Sequence, residues 1–98
     1  MKLYAQRDLA AAREHAIQGG QALFIMVNPG GWPGAPRCFE RSREWGKLFD
    51  QDKGRLVCTA RHLGVRKIVV HHEGTERQHV DLCCNPLIRA RRACEVLA

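Results

Sequence analysis

The side chains best equipped for chemistry gather in the last third of the chain: His71, His72, Glu73, His79, Asp81, Cys83 and Cys84. Imidazoles and carboxylates are ordinary ligands of zinc and manganese, and imidazoles exchange protons near neutral pH. If residues 66–72 and 78–83 are the arms of a hairpin closed by residues 74–77, His72 stands opposite His79, with Cβ atoms about 5 Å apart. Asp81 shares the face of His79, which makes His72, His79 and Asp81 a candidate divalent-metal set. A metal there would activate water and neutralise phosphate charge, with Asp50 or Asp52 completing the site of a metal-assisted hydrolase or nuclease. A slip of one residue in register dissolves the pairing. A hairpin with a merely polar solvent face accounts for the same residues. His71 and His72 point to opposite faces of a strand, so at most one of them serves a given site.

A second constellation surrounds residues 29–38, PGGWPGAPRC. Arg37, Arg41, Arg43 and Lys47 accompany Trp32, with Trp45 near. Arginine forks match phosphate oxygens, and an aromatic ring stacks on a base, so this group is a candidate surface for nucleic acid or a phosphorylated partner. Glu40, Glu44, Asp50, Asp52 and Glu95 interleave with the basic residues of the chain, which also fits a solvated, arginine-rich rim. The whole chain carries 16 Lys and Arg against 10 Asp and Glu, a formal charge of +6, which favours polyanionic partners.

Other chemistries find less support. The phosphate loop ending in Gly-Lys-Ser/Thr and the dinucleotide glycine pattern are both missing. Ser42, the single serine, lies in a charged segment without a nucleophile elbow around it. Cys38, Cys58, Cys83, Cys84 and Cys94 are odd in number and contain no C-x-x-C pair, which argues for reduced thiols over a disulfide framework or a structural zinc knot. Cys58 and Cys94 fall in apolar helical patterns and read as core residues. The adjacent Cys83 and Cys84 offer a nucleophile with His79 as base, without any sequence signal that lowers the thiol pKa.

The elements that must position these groups follow from periodicity. Residues 5–18 read as a helix with Leu9, Ala12, Ala16 and Ile17 on one stripe, stopped by Gly19-Gly20. Residues 21–28, QALFIMVN, read as a strand buried on both faces, which needs helical cover on both sides. Three prolines and three glycines make 29–38 a loop at the end of that strand, where α/β folds commonly bind ligands. Trp32 within it is a lid, a stacking surface or a plug over the core.

Residues 39–50 read as a weak helix or mixed segment anchored by Phe39, Trp45, Leu48 and Phe49. Residues 55–63 form a helix burying Leu56, Val57, Ala60 and Leu63, ended by Gly64. Residues 66–72 and 78–83 read as strands, the latter with Val80 and Leu82 inward. Asn85-Pro86 opens a helix over 86–97 that buries Leu87, Ile88, Ala90, Cys94 and Leu97. The expected fold is a single α/β domain over residues 1–98. Its elements run α-β-α-α-β-β-α, with a small three-stranded mixed sheet covered by helices, the first two strands parallel and the third antiparallel.

Four stretches, FIMVNPGGWP (24–33), EWGKLFDQD (44–52), LVCTARHLGVRK (56–67) and QHVDL (78–82), resemble in order and spacing a domain-of-unknown-function family of short bacterial and phage proteins with a His-Tyr-Asp segment. The resemblance covers about residues 22–92. His79 and Asp81 keep the family's places; Val80 replaces its tyrosine, Asn28 its first acidic residue and Lys47 its histidine. The resemblance implies a fold and a candidate site, and no reaction.

The longest apolar run, residues 22–27, is far short of the ~20 residues that span a bilayer, and the N-terminus lacks a signal-peptide core. The expectations are therefore a cytoplasmic protein that avoids membranes and needs no cofactor beyond a candidate divalent metal. It either binds nucleic acid or a phosphorylated partner, hydrolyses with metal help, or acts as a non-catalytic adaptor or homo-oligomer.

Overall fold

In the computed structural model the backbone is described for residues 1–97 and the side chains for residues 1–94. Four strands and four helices alternate: β1 (Lys2–Tyr4), α1 (Leu9–Ile17), β2 (Gln21–Val27), α2 (Arg37–Arg41), β3 (Glu44–Asp50), α3 (Lys53–His62), β4 (His79–Leu82) and α4 (Cys84–Leu97). The sheet order is β1-β2-β3-β4, with β1 parallel to β2 and the other pairs antiparallel.

The apolar run 22–27 forms an interior strand, as its composition demands. Alternate side chains of β2 leave for opposite faces. Leu23 and Ile25 join a core with Leu56, Ala60 and Leu63 beneath α3 and with Leu87, Ala90 and Cys94 of α4. Ala22 and Phe24 join Ala12 and Ala16 of α1, and Phe49, in a second core. The sheet is thus sandwiched, with α1 on one face and α3 and α4 on the other. The two small alanines let α1 approach closely, and Gly19, at φ 99°, ends it.

Several expectations change. The sheet has four strands, because residues 2–4, too short to show a period, pair with β2 as Lys2–Ala22, Leu3–Leu23 and Tyr4–Phe24. β2 finds its parallel partner there and not in residues 66–72. Residues 44–50 form β3 and not a helix. Trp45, Leu48 and Phe49 suit a helical stripe, but Trp45, Lys47 and Phe49 also alternate with Gly46, Leu48 and Asp50, and pairing with both neighbours decides for the strand.

Residues 66–72 form no strand; Val65, Ile68 and Val70 pack irregularly on the α3–α4 core, and His71 alone makes a bridge, to His79. Ile88 (48% exposed) and Cys58 lie at the surface, not in the core. The side chain of Leu97 lies outside those described. Among the described residues no helix is long and apolar enough to cross a membrane.

Candidate functional site

The face of the sheet that carries α1 is only partly covered by it. Phe49 belongs to the α1 core, so alternation along β3 puts Lys47 and Trp45 on the same face. Across the ladder Phe49 pairs with His79 and Lys47 with Asp81, which brings both β4 side chains to that face as well. A row about 13 Å long therefore runs from Phe49 to Trp45, four residues at strand rise.

At one end of the row stands a carboxylate between two imidazoles. Asp81 Oδ1 lies 3.2 Å from His79 Nε2, and Asp81 Oδ2 lies 3.2 Å from His71 Nε2. The His71 and His79 rings stack with centroids 5.3 Å apart. His79 is 5% exposed, and its Nδ1 lies 2.6 Å from the Arg77 carbonyl. Both nitrogens of His79 thus face oxygens, Asp81 Oδ1 at Nε2 and the Arg77 carbonyl at Nδ1. Burial pushes the Asp81 carboxyl up. The His79 hydrogen bond and the charges of His79, His71 and Lys47 outweigh it and hold the group below its ordinary value. Arg13 adds a further cation with its guanidinium carbon 6.0 Å from the centre of the Phe49 ring.

The histidine that joins Asp81 is His71, not His72. Residue 72 takes a left-handed φ of 52°, and Thr75 binds the His72 carbonyl through both its amide and its hydroxyl. The kink moves the ladder contact back by one residue, so His71 and His79 exchange both backbone hydrogen bonds. His72 is exposed, with its ring centroid 5.8 Å from that of His79.

Asp50 and Asp52 are elsewhere. Fully buried Asp50 receives two bonds from Arg55, at 2.7 and 2.8 Å, and one from Gln21 at 2.9 Å, while Asp52 caps α3 through the Arg55 amide. Asp50 pairs with Gln21, the end of β2 opposite Asn28 and the Trp32 loop. These carboxylates are structural and do not lie beneath that loop.

At the other end of the row three aromatic rings meet edge to face. Trp32, Phe39 and Trp45 have mutual centroid distances of 5.5–5.7 Å. Asn28 fixes their frame: its Nδ2 faces the carbonyls of Phe39, Glu40 and Ser42, and its Oδ1 accepts from the Gly30 amide. Trp45 Nε1 donates to the same Phe39 carbonyl at 2.7 Å. Trp32 remains 40% exposed, so it is both an edge of the cluster and an open ring. A cleft of about 460 Å³ lies along residues 31–35 and Glu40.

Arg37 and Arg41, one helical turn apart on α2, and Arg43 just beyond it are exposed, and Lys47 is half-buried. None of the four takes part in an ion pair among the described residues. A cleft of about 480 Å³ beside α3 is also basic, with Lys53, Arg61 and Arg66, but no aromatic ring lines it and Glu73 neutralises Lys53.

One group escaped sequence reasoning. Cys38, Cys83 and Cys84 are, among the described residues, the one set of three or more Cys, His, Asp or Glu whose donor atoms all lie within 4.8 Å of one another. The adjacent Cys83 and Cys84 were visible as a pair, but only the packing of α2 on the start of α4 supplies the third thiol. No family model, curated protein or solved structure matches the chain.

Proposed function

We propose that this chain binds single-stranded nucleic acid, with the exposed Trp32 ring taking a base and Arg37, Arg41, Arg43 and Lys47 taking phosphates. The carrying observation is the company of Trp32: an exposed ring braced by Phe39 and Trp45, on the loop that leads into α2 with Arg37 and Arg41, which with Arg43 and Lys47 form no ion pair among the described residues. A ring already held by its neighbours loses little side-chain freedom on binding, and stacking on an exposed ring contributes about 1–3 kcal/mol per base. Unpaired arginines need break no salt bridge to reach a phosphate. Lys47 carries the cationic strip from α2 toward the His71–Asp81–His79 group.

The metal-assisted reading draws less support, because both carboxylate oxygens of Asp81 already face imidazoles and, among the described residues, no further carboxylate joins them. The test is a fluorescence-anisotropy titration of a labelled single-stranded oligonucleotide at several salt concentrations. Binding should weaken steeply with salt. Replacing Arg37, Arg41 and Arg43 together by alanine should flatten the log–log slope by about 2, at about 0.7 per phosphate contact for single strands. Trp32→Ala should weaken binding about tenfold with the slope unchanged. No measurable binding at about 50 mM salt would overturn the proposal.

A further inference from the structure

The meeting of Cys38 with Cys83 and Cys84 requires an unusual backbone. In an extended chain neighbouring side chains leave in opposite directions, so Cys83 and Cys84 would be expected on opposite sides of β4. Cys84 instead adopts φ 54°, in the left-handed region that non-glycine residues seldom occupy and that costs of order 1 kcal/mol. That turn brings the Cys84 sulfur to 3.8 Å from the Cys38 carbonyl and all three sulfurs within 4.8 Å of one another.

Both sides of the cluster are anchored. Asn28 and Trp45 tie down the carbonyls around the C-terminal end of α2, which carries Cys38, and Leu87 and Ala90 bury the following turns of α4 in the core. Cys83 forms the buried floor, while Cys38 and Cys84 are exposed at the rim.

We infer that Cys38, Cys83 and Cys84 form a site for a soft, thiophilic d¹⁰ cation such as zinc, cadmium or copper(I), held by three sulfurs with one position open to solvent. Donor chemistry selects the ion class: three sulfurs without nitrogen or oxygen favour soft cations over magnesium, calcium or manganese. The fit is close, since metal–sulfur bonds of ~2.3 Å put sulfurs about 3.8 Å apart in a tetrahedral site, within a small contraction of the present spacing.

Binding exchanges three S–H protons for the metal, and these leave to solvent, so no oxidant or reductant is needed. Three thiolates around a divalent ion leave one net negative charge, and Arg37 and Arg41 flank Cys38 on the same short helix to offset it. The ion would fasten α2 to the start of α4, which steadies the Phe39 and Trp45 braces behind Trp32. The site does not depend on nucleic-acid binding, and its test reads metal, not nucleic acid.

The experiment titrates the reduced full chain with cadmium alone and follows the ultraviolet sulfur-to-metal charge-transfer band, with native mass spectrometry for stoichiometry. The expected result is one cadmium per chain, held more tightly than zinc and able to displace it, and a raised Tm. Cys38→Ser and Cys84→Ser, both at exposed positions, should each lower affinity about tenfold or more, and Cys58→Ser, remote in sequence and exposed on α3, should leave it unchanged. A chain that gives no saturable band while its thiols are shown to be reduced overturns the site. So does a band that survives in the Cys38→Ser, Cys84→Ser double variant, or one lost equally in Cys58→Ser.

Discussion

Asp81 is a half-buried carboxylate whose ionised form is favoured by everything that faces it. Its side chain is 22% exposed and faces His71, His79 and Lys47. Because its folded pKa lies below the unfolded one, the carboxylate adds stability above the ordinary carboxylate range, and that stability is lost as pH falls through the folded value. Asp81→Asn should therefore lower the unfolding free energy at neutral pH, read from urea denaturation, by about 1–3 kcal/mol for two charge-assisted bonds. The wild-type and variant curves should converge in acid. Denaturation series between neutral and strongly acidic pH check this; a gap that stays constant throughout would show that Asp81 acts by packing and not by charge.

Asn28 decides how β2 hands the chain to α2. Its amide nitrogen donates toward three carbonyls, those of Phe39, Glu40 and Ser42, while its oxygen closes the turn at Gly30. A carboxylate in the same place would set like partial charges against those carbonyls, so Asn28→Asp should cost about 1–3 kcal/mol and at least as much as Asn28→Ala. The fluorescence of Trp32 and Trp45 should report a loosened cluster in both. Equal stability of Asn28→Asp and the wild type would sink this account.

At the same scale lies the reason some elements could be read from the sequence and others not. β2, α1, α3 and α4 have enough length and apolar contrast to declare their period, and the 29–38 loop is dictated by its prolines and glycines. β1 is three residues long and exists only because β2 offers an edge. β3 has a sequence that fits both periods, and Gly46 hid its strand character. A Cβ there would fall 2.6 Å from Leu87 Cδ1, a contact between β3 and α4 that no local pattern contains. The candidate site shows the same limit. His79, Asp81 and the Trp32 surroundings were visible locally, whereas the choice of His71 over His72 hung on one left-handed residue. The third thiol, 45 residues before Cys83, is brought in by tertiary packing alone.

For the whole molecule the governing quantity is a charge of +6 on a body whose radius of gyration is 12.3 Å. The Debye length is about 30 Å at 10 mM salt and about 10 Å at 0.1 M, so in dilute buffer every cation feels every other, and at moderate salt only neighbours do. Self-repulsion of the folded state is therefore relieved by salt. Against it stand, among the described residues, few ion pairs that salt could weaken: Lys53–Glu73 and Arg91–Glu44 are largely exposed and contribute little, and Arg55–Asp50 and the Asp81 pairs with His71 and His79 have carboxylates largely withdrawn from solvent ions. Raising salt from about 10 mM to 0.2 M should consequently raise Tm or leave it level, while affinity for a single-stranded oligonucleotide falls by orders of magnitude through counterion competition. Thermal melts and anisotropy titrations in matched buffers measure the two trends together. Their opposition is the informative result, because weaker binding by a chain that is at least as stable reports competition for phosphate contacts and not unfolding. If Tm fell in step with affinity, the arginine surface beside Trp32 would lose its electrostatic explanation.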